Sequence, residues 1–205
     1  MSSKMRVLVA CEFSGMTRNA FQALGHEAWS CDLLEAEDGP TPFHIQDTLE
    51  HVIGSGRIHW DLLIAHPPCT YLANSGARWL YTEEGRFEKM KEAAEFFRWI
   101  LELPIARIAV ENPVMHKHAL EIVGRKPQFT VQPWQFGDPH KKRTCFWANG
   151  VMPLIPTINT LTADEAEQTI WRLPPGPDRW KERSRTYPGI AKAMADQWGG
   201  KVDHA

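Results

Sequence analysis

The chain has few of the features that assign a protein at once to a large class. Cysteine is scarce: Cys11, Cys31, Cys69 and Cys145 are four in 205 residues, and no two form a C-x-x-C pair. Neither a disulfide frame nor a structural zinc site fits that spacing, so the thiols read as the reduced ones of an intracellular protein. Long apolar runs are missing, and nothing nears the roughly 18 residues of a membrane span. Residues 1–6 are too short and too polar for a secretory leader. Positive charge is not in excess, since the formal net charge is −2, so any nucleic acid would have to be met by local cations. Glycine is thin after the first apolar stretch, where only Gly15 stands, which excludes a G-x-G-x-x-G dinucleotide fingerprint. His116 and His118 are two apart, on opposite faces of a helix, which argues against a metal pair, and no bound metal is expected.

What is present is an ordinary composition, 43% hydrophobic and 23% charged, in a length that suits one packed core with at most a small appendage. Strands are expected over residues 6–11, 27–33, 45–47, 60–65 and 107–110, and helices over 18–24, 48–53, 83–103 and 116–123. The helix over 83–103 has the strongest pattern: Phe87, Met90, Ala94, Phe97, Ile100 and Leu101 recur at three- and four-residue steps before Pro104. Residues 74–81 read as an irregular loop. Two further strands, over 130–134 and 144–148, flank the turn Gly137-Asp138-Pro139 and look antiparallel. Residues 152–176 are proline-rich, with a short helix expected over 162–168, and a last helix spans 189–198. A strand-turn-helix-strand start followed by β/α alternation predicts an α/β fold with a mostly parallel sheet, helices on both faces and one antiparallel strand pair late in the chain.

In such a sheet ligands bind outside the carboxyl ends of the strands, so the residues just past each strand carry the interest. After Asp61 and four apolar residues come His66, Pro67 and Pro68, and then Cys69. Each proline fixes its backbone and lacks an N–H, so the strand must stop and Cys69 sits on a stiff turn. A thiolate there suits nucleophilic attack on an electrophilic carbon; a lone cysteine on a turn is otherwise filler. Glu111-Asn112-Pro113 follows another buried strand, and a partly desolvated carboxyl has a raised pKa and suits a general acid. Phe13-Ser14-Gly15 opens the first helix, and Asp32 ends the second strand about 20 residues on, where an acid binds ribose hydroxyls in Rossmann-like sites. His140-Lys141-Lys142-Arg143 is a basic turn, able to hold phosphate or simply solvated.

Taken in order, these pieces resemble the pyrimidine-C5 (cytosine-5) DNA methyltransferases. Phe13-Ser14-Gly15 matches the family's Phe-x-Gly loop, Asp32 its acid at the end of the second strand, and Asp47 an Asp near the third. Pro67-Pro68-Cys69 matches the defining Pro-Cys, and Glu111-Asn112-Pro113 two positions of Glu-Asn-Val. Pro139-His140-Lys141-Lys142-Arg143 is a loose version of Pro-Gln-x-Arg-x-Arg, and residues 185–191 resemble the C-terminal Gly-Asn-x-Val-Pro helix start. The likeness is closest to small phage- and prophage-encoded members.

The resemblance implies a Rossmann-like sheet that binds S-adenosyl-L-methionine through Phe13, Ser14, Gly15, Asp32, Asp47 and Pro67. Cys69 would attack C6 of a cytosine, Glu111 would protonate N3, and Asn112, Lys142 and Arg143 would hold the base or its phosphate. It also implies DNA as partner, with the target base flipped out of a duplex, and a place in the cytoplasm of a bacterial or phage-infected cell. The oligomeric state stays open. Three regions are expected: residues 1–150 as the catalytic core, 151–180 as a much reduced target-recognition insert, and 181–205 as a C-terminal helix returning to the core. The departures are His66 in place of a Gly, Thr70 in place of a Gln, and the arginine pair diluted to Lys142 and Arg143. Two alternatives stand beside this reading: the same Cys/Glu chemistry on a free pyrimidine nucleotide or with another one-carbon group, and a non-catalytic DNA-binding protein on a methyltransferase scaffold.

Overall fold

The computed structural model describes residues 3–158, 160–168, 176 and 179–202, and for 179, 180 and 182 it describes the backbone alone. The rest of the 151–180 insert therefore lies outside the described residues. The strands are β1 Arg6–Ala10, β2 Glu27–Asp32, β3 His44–Gln46, β4 Leu62–Ala65, β5 Ile108–Asn112, β6 Phe129–Val131 and β7 Thr144–Asn149. The α-helices are α1 Met16–Ala23, α2 Leu49–Gly54, α3 Arg86–Leu101, α4 Lys117–Val123, α5 Arg179–Ser184 and α6 Pro188–Met194.

One seven-stranded sheet runs in the order β3-β2-β1-β4-β5-β7-β6. Strands β1 to β5 are parallel to one another, while β7 is antiparallel to both β5 and β6. This is the α/β fold that the sequence predicts, a mostly parallel sheet with helices on both faces, and the strand order reverses between β1 and β4. The two-residue period of the strands divides the core in two. Leu8, Leu63, Ile108 and Trp147 face the layer holding Met90 and Phe97 of α3 and Ala119 of α4. Val7, Ile64, Ala109 and Phe146 face Phe21 of α1 and Ile190 and Met194 of α6. Phe97 meets Trp147 edge to face at 5.0 Å between ring centres, an arrangement worth about 0.5–1.5 kcal/mol beyond its burial.

The structure departs from the expected elements where long-range pairing or local capping overrides pattern. β5 does not stop at Val110, because β7 pairs Glu111 with Phe146 and Asn112 with Cys145 and carries the ladder two residues further. Cys11 is outside β1: its φ of 56° is left-handed, and the chain turns there so that the Glu12 carboxylate accepts from the N–H groups of Thr17 and Arg18 at 2.6 and 3.2 Å. Residues 74–81 are a run of 3-10 helix that buries Leu80. No helix forms over 162–168. The Thr162 N–H and hydroxyl both bond Glu165 at 2.8 Å, closing a turn, and Glu167 is drawn into a bridge with His140. After Met194 the last helix widens to a π turn over Ala195–Gly199. Among the described residues no helix is long and apolar enough to cross a membrane.

Candidate active site

The parallel strands end at one edge, and the residues after them converge there. β4 stops because Pro67 and Pro68 cannot donate to a ladder; the last bond is His66 N–H to Ala10 O at 2.9 Å. The turn beyond is pinned from several sides. Leu72 and Ala73 donate their N–H groups to Cys69 O at 3.1 and 2.9 Å. Arg86 donates to Thr70 O at 3.1 Å, and His116, the cap of α4, to Tyr71 O at 2.9 Å. Asn112, 1% exposed, donates from Nδ2 to Pro67 O at 2.9 Å, tying the end of β5 to the proline turn. Its Oδ1 is buried without a partner among the described residues.

Cys69 is half-buried at the wall of a cavity of about 430 Å³, with Phe13, Ser14, Asp32 and His66 on the wall beside it. Burial pushes its thiol above the ordinary range and the Glu111 charge pushes the same way, while Lys142 and Arg183 oppose them. The resting group is therefore a thiol, and attack needs a proton acceptor or a substrate that excludes Glu111's influence. Glu111 is 9% exposed, and its Oε2 accepts from His66 Nδ1 at 3.2 Å. Burial alone would raise its pKa, but the His66 hydrogen bond and the Lys142 charge outweigh it, so the carboxyl is held below its usual range. This corrects the expectation of a raised value: desolvation is present, but a donor 45 residues away in sequence reverses its effect.

A second cavity, of about 620 Å³, adjoins the first and shares Cys11, Asp32 and Pro68 with it. Asp47, Glu50, Pro67, Tyr71 and Phe96 also line it. Asp32 is held above its ordinary value by burial. Apolar walls with carboxylates at the ends of β2 and β3 suit a nucleoside bearing a positive centre, so the residues fit S-adenosyl-L-methionine. Gly15 lines neither cavity. It starts α1 with φ 70°, and a Cβ there would lie 2.6 Å from Asp38 Oδ2, against the ion pair of Asp38 with Arg18.

Two sequence candidates sit differently from the rest. Lys142 donates to Arg183 O and Arg185 O at 2.8 and 3.2 Å, so it braces the end of α5 and the residue after it. Arg143 is exposed ahead of β7 and lines neither cavity. Arg86, Arg183 and Arg185 line the Cys69 cavity instead, Arg86 paired with Glu83 at 2.6 Å and Arg185 with Glu37, and Trp79 offers a 39% exposed ring there with Arg78 stacked at 4.4 Å. Sequence reading missed Arg86, Trp79 and His66 as wall residues. The departure from Gly at His66 was the one visible signal. Among the described residues no group of three or more His, Cys, Asp or Glu could hold a metal ion.

No protein family matches the chain, and no curated protein does. Solved structures do match. The Entamoeba histolytica methyltransferase EhMeth aligns with a TM-score of 0.47 and 13% identity over 81% of this chain and 58% of its own. The S. pombe Dnmt2 methyltransferase aligns with a TM-score of 0.41 and 14% identity over 82% of this chain and 53% of its own. The chain spans little more than half the length of these methyltransferases.

Proposed function

We propose that the protein transfers a methyl group from S-adenosyl-L-methionine to C5 of cytosine in DNA through a covalent adduct between Cys69 and C6. The carrying observation is the meeting, at one sheet edge, of a thiol on a double-proline turn with a Glu111–His66 pair and an adjoining acidic, apolar cavity. Asp32, Asp47, Pro67 and Phe96 would hold the cofactor, which when bound supplies an electrophilic methyl group. Cys69 gives up its thiol proton to water and adds to C6 as the pair protonates N3, and C5 becomes nucleophilic. Once C5 is methylated, its proton leaves to water, the C6–S bond breaks, and the N3 proton returns to the pair. Asn112 fixes the proline turn. Arg183 offers charge to the target phosphates beside Arg86 and Arg185, which Glu83 and Glu37 hold, and Lys142 keeps Arg183 and Arg185 in place.

The test is transfer of labelled methyl groups into duplex DNA by the wild type and its abolition in Cys69→Ser. Transfer to dCMP but not to DNA would replace polymer with free nucleotide. DNA binding with no transfer, unchanged by Cys69→Ser, would sink both enzymatic readings. With so short an insert between β7 and α5, specificity should be short or relaxed. Bisulfite sequencing of an expressing host that shows a long, strict motif would contradict this.

A further inference from the structure

We propose that His66 is the residue that carries and presents the N3 proton, with Glu111 behind it as the fixed carboxylate; the inference rests on the methyl-transfer reading. Three observations converge. His66 is on the wall of the Cys69 cavity, whereas Glu111 is not among the residues lining it. The His66 side chain is 6% exposed, and its Nδ1 is committed to Glu111 Oε2 at 3.2 Å. Its other nitrogen, Nε2, is buried with no partner among the described residues, although an imidazole nitrogen is costly to leave unpaired. A ring held at Nδ1 and unpaired among the described residues at Nε2, in the wall of the cavity beside Cys69, can exchange a proton with a ligand that reaches Nε2.

The proton balance is simple. As Cys69 loses its thiol proton to water and adds to C6, the Nε2–H bond of a His66 imidazolium breaks and an N–H bond forms at N3. The ring becomes neutral and keeps its Nδ1–H on Glu111, which stays ionised throughout. When the C5 proton leaves to water and the C6–S bond breaks, N3 returns its proton to Nε2 and the expelled thiolate takes one from water. Glu111's low-lying acidity fits this division, since a carboxyl that stays ionised serves as an orienting partner. Cations opposing a charged ring come from Lys142 ahead of β7, Arg86 on α3, Arg183 in the last turn of α5, and Arg185 just after it. Groups favouring it are Glu111 itself, with Glu12 and Asp32 at the ends of β1 and β2; Cys11 and Cys69 are the thiols that share the wall.

The deciding variant is His66→Asn, whose amide reaches the Nδ1 position and keeps a donor for Glu111 but has no titrating proton. It should lower kcat about 100-fold or more and abolish the wild-type pH dependence on the proton donor, with KM for DNA little changed. His66→Ala should in addition let the Glu111 carboxyl titrate at higher pH, read by side-chain 13C NMR on protein free of substrate. A His66→Asn enzyme with wild-type rate and pH profile would overturn the inference alone, as would an unmoved Glu111 titration in His66→Ala. A wild type that transfers no methyl group would overturn the methyl-transfer reading, and the role of His66 with it.

Discussion

Replacing Asn112 by Ala separates what holds the fold from what aims the nucleophile. The Asn112 amide makes one hydrogen bond, Nδ2 to Pro67 O at 2.9 Å, at a position 1% exposed. Removing it leaves a buried carbonyl without a donor, a loss of about 1–3 kcal/mol. The same substitution also removes Oδ1, which is buried and unpartnered, and relief of that group offsets about 1–3 kcal/mol. The two terms are of equal size, so global stability should change by no more than about 1.5 kcal/mol, or roughly 3–6 °C in Tm for a domain of this size. Activity should respond far more. The bond is what ties β5 to the turn bearing Cys69, and a nucleophile misplaced by about 1 Å loses about 100-fold in rate. Urea unfolding reads the first quantity. Trapping of Cys69 by an oligonucleotide containing 5-fluorocytosine, followed on denaturing gels, reads the second. A loss of more than about 3 kcal/mol would show that the orphan oxygen costs nothing in the wild type. An unchanged trapping rate would show that Pro67 does not set the position of Cys69.

Glu111→Gln removes a charge that pushes the Cys69 thiol up, so alkylation of Cys69 by iodoacetamide should set in at lower pH than in the wild type; an onset at the same or higher pH would refute the coupling. Glu111 is held low in the fold, so its stabilisation is present above its unfolded value of about 4.3 and is lost as pH falls through the lower folded value. Wild type should therefore lose stability below about pH 4 in urea titrations, and Glu111→Gln should lose less over that window; parallel curves would count against it. Gly189 donates its N–H to Asp138 at 2.9 Å, and a Cβ there would lie 2.8 Å from the Asp138 carboxylate and closer still to the Phe136 carbonyl oxygen. Gly189→Ala should cost about 1–3 kcal/mol in urea unfolding, and a wild-type midpoint would show that the start of α6 can shift freely.

The sequence made the parallel half of the molecule readable because its signals are local. The apolar runs at β1, β4 and β5 have the strand period and length, and the double proline must end β4 wherever the rest of the chain lies. The positions of Asp32, Cys69 and Glu111 at one edge follow from the parallel order alone. What could not be read depends on partners distant in sequence. Glu111's acidity was misjudged because burial can be inferred from a strand, whereas the His66 donor cannot. Lys142 looked like a phosphate ligand within its basic run, yet its hydrogen bonds reach carbonyls 41 and 43 residues further on. The 3-10 run at Asn74–Tyr81 has no periodicity to betray it, being shaped by the pinned turn before it and α3 after it.

The reversal of β7 has a consequence for how this scaffold could change. Because β6 runs parallel to β5, the 3-10 turn that follows it, Pro133–Phe136, stands at the same rim as Cys69. Residues 157 and 158 return to that rim, both donating N–H groups to Gln135 O at 3.0 and 3.1 Å, and the segment after α5 lines the Cys69 cavity. The stretch between them is thus a port, with both anchors on one side of a finished core. Doubling the length of chain spliced there would add only about 0.6 kcal/mol of closure entropy. The port is therefore a natural place to graft a longer segment while leaving the sheet and helices beneath it intact.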